Sequence, residues 1–191
     1  MTIGILGGAF DPPHAGHVLL AREGSKRFDL GSLLVFVVAR PAHKRVETPV
    51  EDRLDLTRAS FADVPLAEVR RDDHPNTVDS LRAGRFDPER TVLLVGADQF
   101  AGFLAWKEPD GVLDCARLGV ATRPGYARES FEPVLASLRR PDRVELFEMP
   151  AFDVSSTDLR ARLGRGEPVG ELVPPAVARL VVERGLYHER G

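Results

Sequence analysis

The sequence predicts an α/β protein, a single doubly wound, Rossmann-like domain on a mostly parallel sheet. Three observations carry that expectation. Apolar runs rich in Val, Leu and Ile recur along the chain. The runs are mostly continuous rather than alternating, as expected of strands buried on both faces. Between them lie stretches compatible with helices, and regular alternation of the two argues for a parallel sheet covered on both sides.

In chain order, strands are expected at Thr2–Leu6, Leu33–Val38, Leu66–Val69, Thr91–Val95, Leu118–Ala121 and Arg143–Phe147. Helices are expected at Gly16–Arg27, Val50–Ala62, Asn76–Ala83, Ser130–Arg139, Thr157–Leu163 and Pro175–Arg184. The Pro- and Gly-rich pieces Arg40–Pro49, Ala105–Gly111 and Gly164–Pro175 read as loops. With 191 residues and no internal repeat, one domain over 1–191 is expected. A chain of this length buries roughly 70% of its unfolded surface. Ligands of such sheets bind beyond the carboxyl ends of the strands, so the loop after the first strand is favoured for chemistry.

Bulk properties exclude several classes. A net charge of -3 offers no basic tail for nucleic acid and no polybasic membrane patch. Cys115 is the only cysteine, which rules out an internal disulfide and a cysteine-rich zinc site. The longest purely apolar run, Leu33–Ala39, is far short of the ~20 residues of a membrane helix. The start of the chain lacks the pattern of a signal peptide, so a soluble, cytoplasmic protein is expected. Neither G-x-G-x-x-G after the first strand nor G-x-x-x-x-G-K-[ST] occurs.

The stretch GGAFDPPHAGHVLL, residues 7–20, concentrates the chemistry. Gly7 and Gly8 allow a sharp turn and close ligand approach at a strand end. Pro12 and Pro13 delay the helix until about Ala15 or Gly16. His14 then stands just ahead of the helix and His17 in its first turn, where free N–H groups and the positive dipole end attract anions. A metal half-site is the alternative reading, but no third ligand is placed by the sequence to complete it. The second motif is Val154-Ser-Ser-Thr-Asp-Leu-Arg160. Ser155 with Asp158 resembles a capping box, and Arg160 follows one turn along, within reach of a polyphosphate.

Together these two motifs resemble the HxGH nucleotidyltransferase superfamily and, within it, the bacterial nicotinate-nucleotide adenylyltransferases. Pro41-Ala42-His43-Lys44, Thr77-Val78-Asp79-Ser80-Leu81, Gly96-Ala97-Asp98 with Trp106-Lys107, Arg123-Pro124-Gly125 and Val173-Pro174…Gly185-Leu186-Tyr187 extend the resemblance over nearly the whole chain. The resemblance implies transfer of the adenylyl group of ATP to nicotinate mononucleotide. His14 and His17 would contact the ATP phosphates, with Lys44 neutralising charge and Arg160, Ser156 and Thr157 holding the pyrophosphate side. Gly7, Gly8 and Phe10 would shape the shared pocket, and Asp98 would accept from ribose hydroxyls. Trp106 would stack on the pyridine ring, and Thr77 would seat its substituent. Mg²⁺ would be bound mainly through ATP phosphates, with no protein-held metal. The partners implied are the two nucleotides, with neither nucleic acid nor membrane, and a homo-oligomer is compatible with the chain.

Three positions depart from the family pattern: Ala9 for Thr or Ser, Ala42 for the second proline of P-P-H-K, and Pro75-Asn76-Thr77 for Ser-Tyr-Thr. Phosphopantetheine adenylyltransferase is the nearest rival reading, but it typically carries Thr in place of His14 and lacks the Trp-Lys loop. Nicotinamide mononucleotide adenylyltransferase is closer still in chemistry. A silent nucleotide-binding sensor would have less need of His14, His17, Lys44 and Arg160.

Overall fold

A computed structural model describes residues 1–42, 46–123 and 128–187. Six strands form one sheet: β1 (Thr2–Gly8), β2 (Leu30–Val38), β3 (Ala67–Asp72), β4 (Thr91–Gly96), β5 (Arg117–Thr122) and β6 (Val144–Glu148). Their order is β3-β2-β1-β4-β5-β6, and every pairing is parallel. Each crossover therefore has to carry the chain back along a face of the sheet, and helices do so on both faces. The helices are α1 (Ala15–Arg27), α2 (Val50–Ser60), α3 (Thr77–Gly84), α4 (Ala97–Ala101), α5 (Pro109–Cys115), α6 (Glu132–Leu135), α7 (Ser156–Gly164) and α8 (Pro175–Glu183). None is long and apolar enough to cross a membrane, among the described residues.

Strand alternation sorts the core into two layers. Ile5, Leu93 and Val95 face α3, α4 and α5 through Val78, Leu81, Phe100, Val112 and Leu113. Leu6, Val92 and Leu94 face α1 and α2 through Val18, Ala21 and Leu54. A third cluster joins α7 and α8 to α2 through Leu159, Val177, Val181 and Leu56. Leu33 is fully buried, so truncating it to Ala would cost about 2–5 kcal/mol.

Three local expectations need correction. The stretch 130–139 is helical only at Glu132–Leu135, after a 3-10 turn at Arg128–Phe131. Pro133 stands in the first turn of α6 and so marks a helix start there, and the Ser137 hydroxyl bonds its carbonyl at 2.8 Å just past the last turn, which favours a turn over further helix. Strand β3 is longer than expected and half of its residues are exposed, because it lies at the sheet edge, where Glu68, Arg70 and Arg71 discourage further pairing. The expected loop 105–111 contains the start of α5, with Pro109 in the first-turn position where a missing N–H costs nothing.

Candidate active site

Strand order reverses between β1 and β4, and a cavity of about 1200 Å³ opens at their carboxyl ends. Gly7 on β1 and Gly96 on β4 both line it. A Cβ at either position meets nothing within 4 Å, and neither residue has a positive φ. Neither packing nor backbone geometry therefore requires glycine there. What the two bare positions preserve is room for a ligand to approach the backbone. A second groove, of about 930 Å³, lies behind α1 against Pro174 and Pro175, away from the strand ends.

Beyond Gly8 the chain turns through Phe10, whose φ of 49° lies in the left-handed region. That conformation costs a non-glycine residue about 1–3 kcal/mol, and burial of the ring offsets it. Phe10 is 2% exposed and meets Phe61 edge-on and His17 at a centroid distance of 4.8 Å. The turn delivers His14 as the N-cap of α1, with His17 at the third helical position. Their rings stack at 3.7 Å. The backbone N–H of His14 donates to Nδ1 of His17 at 3.1 Å. With Nδ1 accepting, the neutral ring carries its proton on Nε2, so this bond selects the tautomer whose distal nitrogen is a donor.

The second motif comes to the same place. Ser155 is the N-cap of α7, its hydroxyl accepting from the Asp158 N–H at 3.1 Å. The next hydroxyl, Ser156, donates to the Pro12 carbonyl at 2.9 Å. Arg160 donates to the Asp11 carbonyl at 2.6 Å and to the Thr157 hydroxyl at 3.2 Å. Two segments about 145 residues apart are thus bonded through backbone carbonyls of the histidine loop.

Behind that loop sits a buried charge. Arg53 is 1% exposed and donates to the carbonyls of Ala9 (2.6 Å), Val38 (2.9 Å), Ala39 (2.9 Å) and Thr48 (3.1 Å). Burial pushes its guanidinium pKa down, opposed by the Asp11 carboxylate. One side chain thereby fastens the ends of β1 and β2.

The opposite wall of the cavity is built by α3 and the segment before α5. Asp72, 7% exposed at the end of β3, accepts from Ser80 Oγ at 2.5 Å and from the His74 N–H at 3.0 Å, which sets the start of α3. Thr77 is the first residue of that helix. Trp106 is half-buried, edge-on to Phe103 at 5.2 Å. The next two residues reach α3: Lys107 bonds Asp79 at 2.9 Å and Glu108 bonds Arg82 at 2.7 Å. Asn76 adds a bond to Asp79 at 3.2 Å. Lys107, and then Asn76, hold the Asp79 carboxyl below its ordinary range, and Arg82 does the same for Glu108.

Of the residues singled out in the sequence, Gly7, Gly8, Phe10, His14, His17, Thr77, Asp98, Trp106 and Ser156 line this cavity. Asp98 is exposed, in the first turn of α4. Thr157 and Arg160 are not among the residues that line the cavity; they are bonded to each other, and Arg160 reaches the histidine loop through the Asp11 carbonyl. Lys44, with His43, lies outside the described residues, as do Pro124 and Gly125. Among the described residues no three His, Cys, Asp or Glu side chains are grouped to hold a metal ion. The donor set of imidazoles, hydroxyls and helix N–H groups suits phosphate oxygens instead.

Comparison with known proteins supplies the family. The model of the cytidylyltransferase-like family matches residues 5–162, which takes in both motifs. The chain belongs to this family. Among cytidylyltransferase-like relatives, a probable nicotinate-nucleotide adenylyltransferase of Thermus thermophilus is 37% identical over 98% of this chain and 100% of its own. One of Salinispora arenicola is 35% identical over 96% of this chain and 100% of its own. A solved structure of the Plasmodium falciparum nicotinic acid mononucleotide adenylyltransferase complexed with NaAD superposes with a TM-score of 0.78 at 16% identity, covering 97% of both chains. At that identity the likeness establishes the shared fold.

Within this cytidylyltransferase-like site, sequence reasoning missed Arg53, Asp11 and the Asp79–Lys107 pair. Arg53 carried no signal, since an arginine in an amphipathic helix reads as solvated. Asp11 stands within the first motif, which by itself assigns it no role, and Tyr187 stands in the C-terminal segment that resembles the family.

Proposed function

We propose that this chain catalyses transfer of the adenylyl group of ATP to the 5′-phosphate of nicotinate mononucleotide, giving nicotinate adenine dinucleotide and pyrophosphate. The observation that carries the reading is the placement of His14 and His17 at the N-terminus of α1, on the cavity over the β1/β4 switch point. Identity of 35–37% to curated nicotinate-nucleotide adenylyltransferases over almost the full chain supports the substrate.

A phosphate oxygen of the mononucleotide attacks the α-phosphorus of ATP. The bond to the oxygen bridging the α- and β-phosphorus breaks, and pyrophosphate leaves with that oxygen. Such a reaction needs alignment of two anions and stabilisation of charge spreading onto phosphate oxygens. His17, its Nδ1 occupied by the His14 N–H, directs the Nε2 donor at the α-phosphate. His14, the helix N–H groups and Lys44 neutralise the chain of phosphates. Ser156, Thr157 and Arg160 hold the pyrophosphate side. Gly7 and Gly8 let the nucleotides lie against the backbone over Phe10, and Asp98 accepts from ribose hydroxyls. Trp106 stacks on the pyridine ring, whose acid group Thr77 seats at the start of α3. Magnesium enters as the metal of the ATP substrate, its charge balancing the polyphosphate.

The test is a substrate panel of purified protein, ATP and Mg²⁺ with each acceptor in turn, read as pyrophosphate release. Nicotinate mononucleotide should be the best acceptor. Turnover with phosphopantetheine and none with nicotinate mononucleotide would contradict the reading, and a preference for nicotinamide mononucleotide would move the assignment to the amide substrate.

A further inference from the structure

The C-terminal turn reaches back into the histidine loop, and it does so through a defined chain of local structure. Helix α8 ends in a Schellman turn: the N–H of Gly185 donates to the Val182 carbonyl at 3.2 Å and that of Leu186 to Val181 at 3.0 Å. Gly185 takes a φ of 59°, a conformation glycine adopts without penalty. The reversal packs Leu186 against the cluster between α2 and α8 and aims Tyr187 inward. Arg184 fixes the same turn to α2, bonding Asp52 and Asp55 at 2.7 Å each. The Tyr187 hydroxyl then donates to Oδ1 of Asp11 at 2.8 Å, across 176 residues of chain.

Asp11 is 4% exposed, which is costly for a carboxylate unless donors and opposite charge compensate it. Tyr187 supplies the donor. Arg53 supplies charge without a direct bond, because its own donors go to the four carbonyls described above. Arg160 holds the other end of the residue, its carbonyl. Burial, and then the Asp11 carboxylate, push the Tyr187 phenol well above its ordinary pKa, so it remains a donor throughout the working range of pH.

We infer that Tyr187 is a positioning residue of the active site, latching the C-terminal turn onto Asp11 and so holding the Ala9–His17 loop in the geometry that presents its two histidines. The inference rests on the roles given to His14 and His17 under the proposed function. Its logic is that of a tripod. Arg53 grips the loop at Ala9, Arg160 and Ser156 at Asp11 and Pro12, and Tyr187 grips the one side chain between them. Removing the hydroxyl leaves a buried carboxylate one donor short, and the loop can relieve that only by turning Asp11 toward solvent. That movement carries His14, three residues on, away from the start of α1.

The test compares Tyr187→Phe, which removes only the oxygen, with Tyr187→Ala in the full chain. Two readouts are used: steady-state kinetics and amide hydrogen exchange across residues 9–17. Tyr187→Phe should lower kcat by on the order of 10-fold, the size expected when a buried charged acceptor loses one donor. It should leave the KM for nicotinate mononucleotide unchanged and speed exchange at 9–17 by a similar factor without changing α8. Wild-type kinetics and exchange in Tyr187→Phe, with losses confined to Tyr187→Ala, would reduce the residue to packing and overturn the inference. Exchange raised uniformly over the chain would do the same. If the wild-type protein forms no dinucleotide, the functional reading fails, and exchange at 9–17 still decides for or against the latch.

Discussion

The two walls of the cavity are held in opposite ways. On the phosphate side, the histidine loop is tied by buried groups, with Arg53 at 1% and Asp11 at 4% exposure, and by bonds spanning much of the chain. On the other side, Lys107 and Glu108, which follow Trp106, are tied to α3 by two ion pairs whose members are 28–49% exposed. Exposed pairs contribute little because solvent and salt screen them, whereas breaking a buried charged network costs about 3–5 kcal/mol. Under the proposed function, the wall assigned to the phosphates is the more heavily bonded of the two, and the wall assigned to the pyridine end is held by exposed pairs. Donors fixed in place reduce the reorganisation needed at the moment of reaction, and a lightly held clamp suits entry of the mononucleotide and release of the larger dinucleotide.

The sharpest way to break this comparison is at His17. Replacement by Ala should lower kcat by on the order of 10²-fold or more while changing either KM far less, since a donor aimed at developing charge is lost. Next come the bare positions on β1 and β4. Gly7→Ala or Gly96→Ala should weaken nucleotide binding by on the order of 10-fold or more and leave thermal stability almost unchanged, because the added methyl meets ligand rather than protein. A fall in melting temperature with normal binding would show that these glycines serve the fold. Trp106→Ala should raise the KM for the mononucleotide by on the order of 10-fold, the usual worth of one stacked base, with little effect on the KM for ATP.

The smallest effect is expected at the ion pairs. Lys107→Asp should raise the mononucleotide KM a few-fold, and adding Asp79→Lys should restore part of the loss. The pH dependence has a definite sign. Asp79 and Glu108 have folded pKa values below their unfolded ones, so the clamp is fully formed above the ordinary carboxylate range and weakens only as pH falls through the lowered values. Loss of the clamp near neutral pH would contradict the assignment of these bonds.

Legibility in the sequence divides between local and long-range features, and both kinds meet in the histidine-loop wall. The first motif was readable because Gly, Pro and His have backbone and donor properties that act over a few residues. His14 was expected just ahead of a helix and stands at its N-cap. The strands were readable from continuous apolar runs, β3 included, although its extension to Asp72 and its edge position depend on the order of the sheet rather than on local pattern. Arg53 and the Tyr187–Asp11 bond were not readable, because each depends on segments that meet only in three dimensions. At Asn76, where the family pattern carries an aromatic residue, the amide bonds Asp79, the partner of Lys107.

The division of labour between the two walls is tested most directly by single-turnover transfer from α-labelled ATP, comparing wild type, His17→Ala and Trp106→Ala as nicotinate mononucleotide is raised to saturation. The account predicts that Trp106→Ala regains the wild-type rate at saturation while His17→Ala stays slow at every concentration. Recovery of His17→Ala with excess mononucleotide, or a Trp106→Ala rate that remains low at saturation, would contradict it.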